Sequence, residues 1–167
     1  MKWYIWLIIG IVAIVVTILL IILLNNKKDG NEPSKIKDIN SLYFTYSVGY
    51  AANAYYRYEL ECNDKCMIKI KPNGIPEEET KEYEVSDELM IKLTDMLNNY
   101  EVYKWDGFDK SAKDVLDGDS FSFSIEKKDG TSIHASGYMM WPTNYRNVRE
   151  EFKNIFNDLI KNDFKNV

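Results

Sequence analysis

Hydrophobic and polar positions along this chain fall into three regimes. From Trp3 to Leu24 the run WYIWLIIGIVAIVVTILLIILL holds 22 residues without one charge. As a helix rising about 1.5 Å per residue, such a run crosses a hydrocarbon core of roughly 30 Å, which predicts a transmembrane anchor over residues 1–25. Residues 26–38 have no period, mix both charge signs and contain Gly30 and Pro33, so they read as a linker. Over residues 39–167 apolar positions recur first every second residue and then every third or fourth, predicting one folded domain.

Within that domain Phe44 and Tyr46 alternate with Thr45 and Ser47, a strand expected to end near Gly49. Tyr56, Tyr58, Leu60 and Cys62 share one face of a second strand, with Arg57, Glu59 and Glu61 on the other. Cys66, Ile68 and Ile70 continue it into a third strand through a hairpin at Asn63, Asp64 and Lys65. Pro72, Gly74 and Pro76 break the pattern, and Glu77, Glu78 and Glu79 read as an exposed loop. Ser86 is a good N-cap, with Asp87 and Glu88 placed to complement the dipole of a helix running to about Tyr100. Leu89, Leu93, Met96 and Leu97 form its apolar stripe. After a long connection, Phe121, Phe123 and Ile125 alternate with serines, and a turn at Lys127 to Gly130 leads into Ser132 to Tyr138. A last helix follows Pro142, with Tyr145, Val148, Phe152, Ile155 and Phe156 on one stripe. The expected fold is α+β: an antiparallel sheet of about five strands in the order β-β-β-α-β-β-α, two amphipathic helices on one of its faces, and one transmembrane helix in front.

Charge narrows the partners. From Ile39 onward 16 Lys and Arg stand against 23 Asp and Glu, a net of −7 with no basic stripe. That excludes nucleic acid, whose phosphates call for clustered cations, and leaves a protein or glycan partner beside the membrane itself, met through Trp3 to Leu24. The apolar run is too long for a cleaved secretory signal and no lipid-accepting cysteine follows it closely. Trp3, Tyr4 and Trp6 suit a headgroup interface. Lys27, Lys28, Lys35 and Lys37 outweigh Lys2, which taken alone keeps the domain on the cytoplasmic side.

Few residues suggest chemistry. Cys62 and Cys66 face one another across a short hairpin, so they form a disulfide in an oxidising compartment or fill core as reduced thiols. His134, the one histidine, stands among Ser132, Ser136, Ser122 and Ser124; a serine hydrolase would use it as a base, but no Gly-x-Ser-x-Gly elbow is present. Asp106, Asp109, Asp114, Asp117 and Asp119 crowd one loop without the ligand spacing of a calcium-binding loop. Their carboxylates carry the alternative of an anchored hydrolase. Trp105, Phe108, Tyr138, Trp141 and Tyr145 flank the same loop and, with Asp117 and Asp119, make up the candidate binding surface. No cofactor or metal motif is found.

Trp105-Asp106-Gly107-Phe108, Leu116-Asp117-Gly118-Asp119-Ser120-Phe121, Ala135-Ser136-Gly137-Tyr138 and Pro142-Thr143-Asn144-Tyr145 resemble a family of uncharacterised small domains from low-GC Gram-positive bacteria, often carried behind a signal or lipid anchor. The resemblance spans roughly Tyr83 to Ile160 and implies an extracytoplasmic setting without implying an activity. Together with the cysteine pair it sets the expectation: a single-pass protein of the cell membrane with its domain outside, acting as a non-enzymatic binding or envelope-accessory domain. The alternatives are an anchored hydrolase and a cytoplasm-facing adaptor.

Overall fold

The computed structural model describes Trp3 and residues 14–18, 34–47 and 54–161. Its main compact unit is Lys35–Val167. Strands β1 (Ile39–Ser47), β2 (Tyr55–Cys62), β3 (Cys66–Lys71) and β4 (Lys81–Val85) are followed by helix α1 (Asp87–Asn99). A 3-10 turn, Val102–Trp105, leads to β5 (Phe108–Ser111), β6 (Ser120–Lys127), β7 (Ser132–Tyr138) and helix α2 (Tyr145–Lys161).

Among the described residues the sheet has seven strands in the order β4-β3-β2-β1-β6-β7-β5. The expectation of about five strands, all antiparallel, is corrected on both counts. Lys81–Val85 forms β4, antiparallel to β3, and Phe108–Ser111 forms β5, parallel to β7. Two further short helices are 3-10 turns, at Glu77–Glu79 and Val102–Trp105, so the segment read as an open acidic loop is partly ordered.

A single-pass membrane protein is not supported. Among the described residues no helix is long and apolar enough to cross a membrane, which takes about 20 consecutive apolar residues in one helix. Within Trp3 to Leu24 the described residues are Trp3 and 14–18, all helical. The remainder of that run, most of the linker and the expected strand end at Gly49 lie outside the described residues. The expected transmembrane anchor, and the cell-membrane localisation with an outward-facing domain that depended on it, do not stand.

The strand alternation decides which face is buried. Leu42, Phe44 and Tyr46 on β1, Tyr58 and Leu60 on β2, Ile68 and Ile70 on β3, and Phe121, Phe123 and Ile125 on β6 all join one core with Leu93 and Leu97 of α1 and Val148, Phe152 and Phe156 of α2. Phe44 lies at its centre. It pairs in register with Tyr58 on one side and Phe123 on the other, and its ring centroid is 4.8 Å from that of Phe152. Ser86 caps α1 by accepting from the Leu89 N–H at 3.3 Å. The folded unit also takes in the last residues of the expected linker, because Ile36 is fully enclosed against the core.

The route of the chain explains β5. β1 to β4 form a meander that ends at one edge of the sheet, and the connection through α1 brings the chain to the opposite edge. From β5 the chain must enter β6 on the far side of β7, so residues 112–119 strap across the end of β7. Ala112 N–H donates to Tyr138 O and Met139 N–H to Asp119 O, both at 2.9 Å.

Candidate functional site

The strap and the 3-10 turn bring two recesses to the β5 edge, one on each face of the sheet. On the face away from the helices, a hollow of about 380 Å³ is lined by Asp109, Ser122, Ser124, His134 and Ser136. The register places Ser124 opposite His134 and Ser122 opposite Ser136. The wiring is not that of a hydrolase. Asp109 Oδ1 accepts from the Ser136 hydroxyl at 2.7 Å, and Asp106 Oδ1 accepts from the backbone N–H of His134 at 3.0 Å. Each aspartate thus ties β5 and its approach to β7, and neither orients the imidazole as a relay would require. Among the described residues no group of three or more His, Cys, Asp or Glu side chains is placed to hold a metal ion.

The second recess lies on the helix side, a cleft of about 510 Å³ between the end of α1, the 3-10 turn, β5 and residues 141–144. Its wall is fixed by three contacts that close over the core. The Trp105 indole N–H donates to Thr143 O at 2.9 Å, the Asn144 side chain donates to Tyr100 O at 3.2 Å, and Trp141 stacks on Tyr145 with centroids 4.7 Å apart and planes 13° from parallel. Two of the lining residues hold a left-handed backbone: Glu101 at φ 55° and Asn144 at φ 64°. For Glu101 that conformation is costly, whereas asparagine adopts it more readily; it persists where surrounding contacts over-determine it, often at binding sites.

Lys104 and Lys110 bring positive charge to this cleft. Lys104 pairs with Glu101 one turn earlier, and Lys110 Nζ lies 5.3 Å from the centroid of the Phe108 ring. The Lys104 hydrogen bond, foremost, holds the Glu101 carboxyl below the usual carboxylate range.

The aromatic residues expected to form a binding surface separate here. Trp105 is 2% exposed and Tyr145 is likewise core, both packed around Phe121. Phe108 and Trp141 are half-buried and line the cleft. Tyr138 donates its hydroxyl to Val115 O at 3.1 Å and so pins the strap. Asp117 is exposed on that strap and Asp119 enters β6 from it; neither lines the cleft. Leu116, just before Asp117, is 95% exposed. Cys62 and Cys66 are direct register partners at the far end of the sheet, Cα atoms 4.0 Å apart and sulfurs bonded. Lys104, Lys110, Glu101 and Asn144 carry no sequence signal that marks them as site residues, except that Asn144 lies within the Pro-Thr-Asn-Tyr run. No model of a known protein family matches the chain, and no curated protein matches it either.

Proposed function

We propose that the folded unit is a non-enzymatic binding domain and that the cleft between α1, β5 and residues 141–144 receives its ligand. The observation that carries this is the pair of left-handed residues, Glu101 and Asn144, lining a recess with a half-buried aromatic floor and two lysines. The wiring of Asp106 and Asp109 onto β7 supports the non-enzymatic half, because it gives those carboxylates a structural task.

Two measurements on the full chain test the proposal. An array of peptides and glycans is probed with the wild type and with Trp141→Ala; the expected result is a ligand class retained by the first and lost by the second at unchanged circular dichroism. Ester, peptide and glycoside reporter substrates are then offered to the wild type, His134→Ala and Asp109→Asn. Turnover that either substitution abolishes overturns the proposal.

A further inference from the structure

We infer that β5 is a docking edge for an extended, acidic segment of a partner protein, which adds to the sheet beside β5 with its carboxylates toward Lys104 and Lys110. This rests on the binding-domain reading above and names the ligand class of that cleft.

Among the described residues β5 is an outermost strand, paired with β7 on one side only. An outermost strand leaves a row of N–H and C=O groups outside the ladder, and an incoming strand satisfies them. The opposite edge, β4, is mostly acidic: Glu82 and Glu84 lie on it after Lys81, and Glu77–Glu79 just before it, with Glu84 paired to Lys65 and Glu77 to Arg57. At β5 the acidic side chains stand outside the cleft: Asp109 lines the hollow on the other face, bonded to Ser136, and Asp106 accepts from the backbone of His134. What faces the cleft instead is Lys104 and Lys110, opposed only by Glu101 among the acidic residues that line it. In a domain of net −7 this local reversal favours an anionic partner.

Ring geometry favours a peptide over an acidic glycan. Sugars stack on open, flat aromatic faces, whereas one face of Trp141 lies against Tyr145 and Lys110 covers a face of Phe108. The remaining ring surfaces suit a single apolar side chain, which an extended peptide projects toward one side at every second residue. A polypeptide is also the one polymer that pairs with a sheet edge.

The test uses the full chain and three probes: a peptide of alternating glutamate and valine, its counterpart of alternating lysine and valine, and oligogalacturonate. The acidic peptide is expected to slow amide hydrogen exchange across Phe108–Ser111 by about tenfold, since new ladder bonds protect those groups. Its affinity is expected to fall about fivefold between low and high salt as the charges are screened. In Lys104→Gln/Lys110→Gln, whose exposed substitutions leave the core untouched, affinity falls about tenfold, the scale expected for removing two attractive charges from a rim. Absence of acidic-peptide binding, equal binding of the lysine peptide, or binding without protection of β5 overturns the inference. Oligogalacturonate binding that Trp141→Ala removes, with no peptide binding, overturns it while leaving the binding-domain reading in place. Turnover abolished by His134→Ala defeats that reading separately.

Discussion

Asn98 and Ile36 exchange two hydrogen bonds. The Ile36 N–H donates to Asn98 Oδ1 at 2.8 Å and the Asn98 side-chain amide donates to Ile36 O at 2.7 Å. The carboxamide therefore imitates a strand neighbour and ties the segment entering β1 to the last turn of α1. Asn98→Ala leaves both backbone groups of an enclosed residue without that partner and is expected to cost about 2 kcal/mol. Urea unfolding of the two proteins measures this, and a difference below about 0.5 kcal/mol would show the clasp to be incidental.

Gly137 sits where β7 passes under the approach to α2. A Cβ there would come within 2.2 Å of Met140 O and 2.5 Å of the Phe121 ring. Neither backbone nor packed ring can yield easily, so Gly137→Ala is expected to lower stability by about 1–3 kcal/mol. Gly74, whose Cβ would meet nothing within 4 Å, is the control; its φ of 82° limits Gly74→Ala to a backbone cost of about 1 kcal/mol. Thermal unfolding of both variants separates crowding from backbone strain.

Glu101 occupies the position just past α1 where glycine is usual, with its N–H donating to Asn98 O at 3.0 Å. Glu101→Gly removes the left-handed cost and loses one exposed ion pair, whereas Glu101→Ala keeps the cost and loses the pair. The glycine variant is expected to be about 1 kcal/mol more stable than the alanine variant. Equal unfolding midpoints for the two would show that the left-handed backbone carries no strain.

The Cys62–Cys66 bridge closes a very short loop. On the chain-entropy account its loss costs about 2 kcal/mol, which the ladder between β2 and β3 survives. Cys62→Ser/Cys66→Ser, compared by calorimetry with the wild type, is expected to fold with a lowered midpoint. Loss of the β3–β4 amide protection pattern in that variant would instead give the bridge a larger, organising role.

Burial is the chief reason that Tyr46, Tyr58 and Tyr145 hold their phenolic protons well above the ordinary tyrosine range. Below about pH 10 folded and unfolded chains are equally protonated at these groups, so their contribution to stability is complete. As pH rises beyond that, only the unfolded chain ionises and stability falls, with a limit of about 1.4 kcal/mol per pH unit for each tyrosine. Urea midpoints at pH 9 and pH 11 are expected to differ sharply. The steepness is expected to lessen in Tyr145→Phe.

The sequence makes some of these elements legible and hides others for physical reasons. Phe44 with Tyr46, and Phe121 with Phe123, betray their strands because a sheet covered on one face must alternate. The stripes of α1 and α2 show for the same reason at helical spacing. Lys81–Val85 also alternates, with Tyr83 and Val85 against Glu82 and Glu84, but an edge strand buries little, and its charges merge with those of the preceding acidic turn. β5 has four residues and one apolar side chain, so nothing in Phe-Asp-Lys-Ser distinguishes it from a loop. Its existence depends on β7, which lies more than twenty residues later. Aromatic clustering pointed toward Phe108 and Trp141. Without the parallel pairing that sets Lys110 beside Phe108, the lysines of the cleft could not be assembled from the sequence.

That dependence orders events in time. Phe108–Ser111 is synthesised before Ser132–Tyr138, and among the described residues its ladder partner is that later strand. The meander and α1 can collapse while β5 is still unattached; one wall of the cleft forms after the hairpin of β6 and β7 has closed on β1. A chain truncated before Ser132 would lack β7, which holds β5, together with residues 141–144, so the cleft is completed only by the last part of the domain to be made.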